Sequence, residues 1–184
     1  MATESLIGLR DRPFDLLLAL EAEVLGTGSG GRRVGEELWV GVAFRIGEHA
    51  LVAARGEIRE VITWPGVTRV PRARSWLLGI ANLRGQLVPV TDFARWAGLG
   101  ESARSRTSRV LVVNHPDIPA GLMVDQVIGF RRFAPGDAGA HPENLPELIA
   151  PYLLGAYARE DEHWAVVGLH DLVESEAFLQ AAAS

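Results

Sequence analysis

From Leu38 onwards the chain reads with a period of two. Trp39, Val40, Val42, Phe44 and Ile46 predict a strand, Gly47-Glu48 a turn, and Ala50 to Ala54 the return. A third run, Glu57 to Ile62, stops at Trp64-Pro65-Gly66. The apolar stretch that starts at Trp76 is broken once, at Asn82-Leu83-Arg84-Gly85, and resumes as a β-type run to Asp92. A short helix from about Asp92 to Ala97 follows, with Asp92 as cap and Gly98 as stop. The second half repeats this outline: strands Arg109 to Asn114, Ala120 to Val124 and Val127 to Arg132. Two three-strand meanders make a weak internal repeat, and short, evenly spaced strands favour small barrels over an open sheet. Ala134 to Pro151 is loop-like, Tyr152 to Tyr157 and His163 to Leu169 form a hairpin, and a helix from about Asp171 to Ala182 closes the chain.

Before Leu38 the period is helical. Asp11 can cap and Pro13 fits the first turn of a helix from Arg12 to Leu25, whose apolar side (Phe14, Leu17, Leu18, Leu25) needs a surface to lie on. Gly26-Thr27-Gly28-Ser29-Gly30-Gly31 formally matches a GxGxxG loop. It leaves a helix and opens a strand, the reverse of a phosphate-cradling turn, so it reads as a linker. The organisation is therefore an extension over residues 1–36 and a β domain over 37–184.

Composition mainly excludes. The 184 residues suit one domain, or two small subdomains sharing a core, and 48% hydrophobic with 22% charged residues is globular. Without cysteine there is no thiol nucleophile, disulfide or thiolate metal site. All 18 basic residues are arginine, which removes P-loop lysine, Schiff-base and lysine-base chemistry. No apolar stretch is long enough to span a bilayer, and Met1 to Leu9 has no basic n-region, so cytoplasmic residence without membrane insertion is expected. The histidines lack compact ligand spacing. The nearest cluster, His170-Asp171 with Glu174, reads as the cap and first turn of the closing helix. There is no GxSxG, and Glu57 and Glu60 fall on opposite faces of a strand. No catalytic, cofactor or metal site is nominated, and an enzyme is not expected.

The net charge of −5 disfavours a general polyanion binder, yet Arg69, Arg72, Arg74, Arg84, Arg95, Arg104, Arg106 and Arg109 face only Asp92 and Glu101 in their segment. A small-barrel nucleic-acid module using these arginines, with Phe44, Trp64 and Trp76 as stacking platforms, is the alternative to a protein adaptor. Arg84 stands out among them: a permanent charge between two hydrophobic segments, beside a glycine that lets the backbone turn.

The run Gly79-Ile80-Ala81-Asn82-Leu83-Arg84-Gly85-Gln86-Leu87-Val88-Pro89-Val90-Thr91-Asp92 resembles the hallmark of the CheW family, the coupling proteins of bacterial chemosensory arrays. The likeness continues through Glu57 to Ile62, Val67 to Pro71, Gly121 to Val127 and Tyr152 to Gly155, about residues 38 to 180 in all. The extension before Trp39 looks like that of the member serving type IV pilus twitching motility. This resemblance implies a mainly β fold of two small five-stranded barrels around a shared hydrophobic core, with an N-terminal and a C-terminal helix. It implies no catalysis and no cofactor, and partners in a chemoreceptor cytoplasmic tip and the regulatory domain of a CheA-type histidine kinase, not nucleic acid. Carried over, Asn82, Arg84 and Gly85 lie at a groove between barrels where the receptor tip docks, with Leu83, Val88 and Pro89 flanking them. Ile58 and Glu60 lie near a partner surface on the first barrel. Val61-Ile62 departs from the family, which often has a further polar residue after the glutamate.

Overall fold

A computed structural model describes residues 38–101, 104–142, 144–159 and 162–181; the expected helix 12–25 and glycine-rich linker lie outside the described residues. Ten strands follow in order: β1 Trp39–Ile46, β2 His49–Ala54, β3 Ile58–Ile62, β4 Leu77–Leu83, β5 Gln86–Asp92, β6 Arg109–Val113, β7 Gly121–Val124, β8 Gln126–Phe133, β9 Leu153–Arg159 and β10 Glu162–Val167. Three short helices accompany them: α1 Phe93–Trp96 after β5, then α2 Leu169–Glu174 and α3 Glu176–Leu179 after β10.

The strands form two five-stranded sheets, in the order β8-β1-β2-β10-β9 and β3-β6-β7-β5-β4. The two meanders expected along the chain do not stay intact. Each lends its third strand to the other sheet: β3 leaves β1–β2 to pair with β6, and β8 leaves β6–β7 to pair with β1. The two orders become identical when β1–β5 are exchanged for β6–β10, so the internal repeat is a unit of five strands and a following helix. Most ladders are antiparallel; β2 with β10 and β5 with β7 are parallel.

Alternation within the strands explains the packing. In the second sheet, Leu111, Val113, Leu122 and Val124 join Phe44, Ile46, Leu51, Ala53, Ala165 and Val167 of the first in one shared core. The alternate positions Val90, Val110 and Met123 turn the other way, into a smaller core with Ile62, Trp64 and Leu78 packed on it. The first sheet has an aromatic counterpart. Trp39 lies against Phe133 and Tyr157, and the last two stack with ring centres 4.3 Å apart. The shared core over two five-stranded units is the one expected.

Local signals hold with three exceptions. Asp92 caps α1, its carboxylate accepting from the Arg95 N–H at 3.1 Å. The continuous helix expected over Asp171 to Ala182 is instead broken at Ser175, which is extended (ψ 145°) and caps α3 by accepting from the Phe178 N–H. The break lets Phe178 stack on Trp76 and meet Trp96 edge-on. Glu57 is not on a strand; it ends a 3-10 turn, Arg55–Glu57, that precedes β3. Nor is Asp171 the cap of α2. The cap position is Gly168, which has no side chain to offer, and the Glu57 carboxylate accepts from the Leu169 and His170 N–H groups instead. A residue 112 positions upstream thus closes the helix end.

Candidate functional site

The hallmark hairpin β4–β5 closes through Leu83 paired with Gln86, leaving Arg84 and Gly85 as a two-residue loop. Both have positive φ, 53° and 89°, the backbone sense that matches the twist of paired strands. Asn82 holds the turn, its side-chain oxygen accepting from the Gly85 N–H at 2.8 Å. A glycine at 85 fits this requirement; an arginine at 84 does so under strain, since left-handed backbone disfavours side chains with a Cβ. Gly79 has a separate reason to be glycine. Its φ is 146°, and an added Cβ would stand 2.5 Å from the Thr68 carbonyl oxygen, where Thr68 and Ile80 exchange two backbone hydrogen bonds of 2.9 Å.

The Arg84 guanidinium donates to the Glu60 carboxylate at 2.9 Å. Their exposures differ: 85% for the Arg84 side chain and 22% for that of Glu60. Arg59, 3.8 Å from Glu60, donates to the Gln86 side chain at 2.7 Å. The tip of β4–β5 is therefore clasped by two arginine-mediated contacts to β3, an edge strand. Beside it lies a groove of about 380 Å³ between β3 and β8, the edge strand of the other sheet. Ile58, Arg59 and Glu60 line it on one side, Phe130 on the other, with Arg55 and Asn114 also on its wall.

The eight expected partner residues thus separate by role. Ile58 and Glu60 line the groove, whereas Arg84, Asn82 and Gly85 do not. They sit at the hairpin tip, and Arg84 reaches the rim of the groove through its contact with Glu60. Leu83 is half-buried against the smaller core and Pro89 is half-buried. Val88 is fully buried, so its side chain supports the sheet and does not present a surface.

Phe130 was not legible as a site residue, although it is 63% exposed, the largest exposed fraction among the exposed large hydrophobics. A β-bulge explains why. Ala43 pairs with Gly129 but Phe44 with Val127, so Ile128 is the extra residue and the alternation of β8 slips there. Arg55 covers the Phe130 ring at 5.9 Å. The histidines also meet unexpectedly: His115 and His170 pack edge to face with centres 5.1 Å apart, and His115 Nε2 lies 2.8 Å from Glu174. The Nδ1 of His115 accepts from the Asp117 and Ile118 N–H groups, so the ring is a structural joint. Among the described residues no group of three His, Cys, Asp or Glu side chains is arranged to hold a metal, and no helix is long and apolar enough to cross a membrane.

Three arginines of the basic segment are engaged locally. Arg84 pairs with Glu60, Arg95 with Glu101, and Arg109 donates to the Arg106 and Ser108 carbonyls. Of the suggested stacking platforms, Phe44 is buried in the core and Trp76 is stacked on Phe178.

A family model described as a CheW-like domain matches residues 40–177, which takes in both sheets and α2. The chain belongs to the CheW-like family. Within it, Protein PilI of Pseudomonas aeruginosa is 37% identical over 175 residues, covering 92% of this chain and 96% of that protein. Chemotaxis protein CheW of Rhizobium meliloti is 30% identical over 137 residues, 73% of this chain and 87% of its own length. Among solved structures, the scaffolding protein TtCheW of Thermoanaerobacter tengcongensis superposes with a TM-score of 0.65 at 25% identity, covering 76% of this chain and 95% of that one. The CheW-like fold expected from the hallmark is the fold observed, and membership places the chain among scaffolds of chemosensory signalling.

Proposed function

We propose that this CheW-like protein is a non-enzymatic, cytoplasmic adaptor that couples the cytoplasmic tip of a methyl-accepting chemoreceptor to the regulatory domain of a CheA-type histidine kinase, in a pathway controlling type IV pili and twitching motility. The observation that carries the reading is Arg84: a strained, 85% exposed guanidinium at a hairpin tip, held by Glu60 at the rim of a groove between two edge strands. The two-residue turn needs a positive φ at residue 84 but not an arginine, so a strained, charged side chain at that place favours a role in recognition. The Arg84 contact to Glu60 uses one Nη2 atom, which leaves other guanidinium N–H groups for a partner carboxylate. Phe130 supplies an apolar anchor on the facing strand, suited to an amphipathic helix laid along the groove. The likeness to PilI over nearly the whole chain supports the pilus assignment.

The test is co-purification of the full chain with the receptor and kinase of its own cell. Arg84→Ala and Glu60→Ala should each reduce retention of at least one partner. Retention of both partners at wild-type levels by both variants would remove the groove rim from the recognition surface.

A further inference from the structure

The arginines of the basic segment leave a residue of chemistry that the adaptor reading does not use. Four of them, Arg69, Arg74, Arg95 and Arg104, line one cavity of about 510 Å³ formed by the segment between β3 and β4 together with the residues around and after α1. Its lining shares no residue with the groove at Glu60. Two carboxylates, Asp92 and Glu101, also reach it. Glu101 is taken by Arg95 at 3.1 Å, and Arg95 further donates to the Ser75 carbonyl at 3.0 Å. Asp92 is buried and serves as the α1 cap. Among the described residues, no ion pair engages Arg69, Arg74 or Arg104.

Arg69, Arg74 and Arg104 are exposed and line one hollow whose charged lining is four arginines against two carboxylates, an excess of positive charge that favours an anion. Arg104 is held in place, its guanidinium 4.7 Å from the centre of the Trp64 ring. Val67, Leu77, Leu78 and Met123 give the same cavity an apolar side. Its volume lies within the range of small-molecule sites, about 300–1,000 Å³. Planar guanidinium forks match phosphate oxygens, and the apolar side matches the face of a base.

We infer that this cavity is a binding site for a small phosphate-bearing ligand of nucleotide size, with Arg69, Arg74 and Arg104 as the phosphate ligands. A single strand of nucleic acid is disfavoured as occupant, because a chain of phosphates needs a continuous track, whereas these arginines border one hollow.

Titration calorimetry on the full chain, with ADP and inorganic pyrophosphate as probes and tryptophan fluorescence as a second readout, tests this. Saturable binding of ADP is expected, with Arg69→Ala, Arg74→Ala and Arg104→Ala each weakening it by about tenfold. Arg84→Ala, outside the cavity, should leave it unchanged. Trp64→Phe should remove the fluorescence response while retaining most of the calorimetric affinity. Pyrophosphate binding as tight as ADP would assign the site to phosphate alone and overturn the role of the apolar side. Absence of saturable binding by either probe in low salt, or binding indifferent to the three arginines, would overturn the site. An oligonucleotide that bound more tightly than ADP through the same arginines would replace it with a nucleic-acid surface. None of these outcomes bears on the receptor and kinase reading, which rests on different residues.

Discussion

Arg84→Asn separates recognition from folding at the hairpin tip. The residue sits at φ 53°, where an ordinary side chain is disfavoured by roughly 1–2 kcal/mol and asparagine by distinctly less. The substitution also removes the 2.9 Å contact to Glu60. With the arginine 85% exposed, solvent screening limits that pair to about 0.2–1 kcal/mol of stability. The two effects oppose each other and are of similar size, so the melting temperature should stay within about 2 °C of wild type. Binding should behave differently. If a partner carboxylate meets the guanidinium in a desolvated contact, its loss weakens binding by roughly 2–5 kcal/mol, or at least about 30-fold. Scanning calorimetry of the variant, alongside calorimetric titration with the receptor-tip and kinase regulatory fragments, reads both quantities. A fall in melting temperature beyond about 5 °C would mean that the arginine is a structural strut. Affinities for both partners within about threefold of wild type, under 1 kcal/mol, would refute its role in recognition.

Other expectations follow from the same geometry. Gly79→Ala should lower stability by about 2–4 kcal/mol, through positive-φ strain and a clash with the Thr68 carbonyl, seen as a drop of roughly 5–15 °C in melting temperature. Glu57→Ala removes the acceptor for two α2 N–H groups and should cost about 1–2 kcal/mol in chemical denaturation, while Glu57→Gln, which keeps an acceptor oxygen, should lose less than half of that. Phe130→Ala should leave the melting temperature within about 1 °C, because the ring is largely solvated, yet weaken partner binding by tenfold or so if the groove is the docking surface. His115→Ala strands the Asp117 and Ile118 N–H groups and the Glu174 contact, and an unfolding free energy lower by about 1–3 kcal/mol is expected.

What was legible in the chain is what local chemistry encodes. Period-two alternation located the strands because alternate side chains take opposite sides of a sheet, as Leu111 and Val113 enter the shared core while Val110 enters the smaller one. Asp92 announced a cap, and Arg84-Gly85 a turn, because both requirements are met within a few residues. What escaped depends on separations that no window spans. Glu57 caps a helix from 112 positions away, His115 meets a histidine 55 positions on, and β3 and β8 change sheets without any local mark. Phe130 was hidden by a bulge, and the break at Ser175 by apolar and helix-forming residues on both sides of a serine whose preference for the cap was the available signal. The hallmark named residues of one hairpin without telling which of them face outward: Val88 is fully buried and the Arg84 side chain 85% exposed, a difference set by the assembled sheet.

The exchange of third strands has a consequence for how the molecule comes into being. Strand β1 lies between β2 and β8, and β2 in turn between β1 and β10, so the first sheet cannot close until residues 126–167 have been made. A ribosome that has released only the first half exposes β1 and β2 with both outer ladders empty, and β3 without its neighbour β6. Such edges invite pairing with other nascent chains. Folding is thus expected to be late and all-or-none, dominated by distant pairings and slow for its size. Cutting between the repeats should yield two insoluble pieces that regain solubility only when produced together, each completing the sheet of the other.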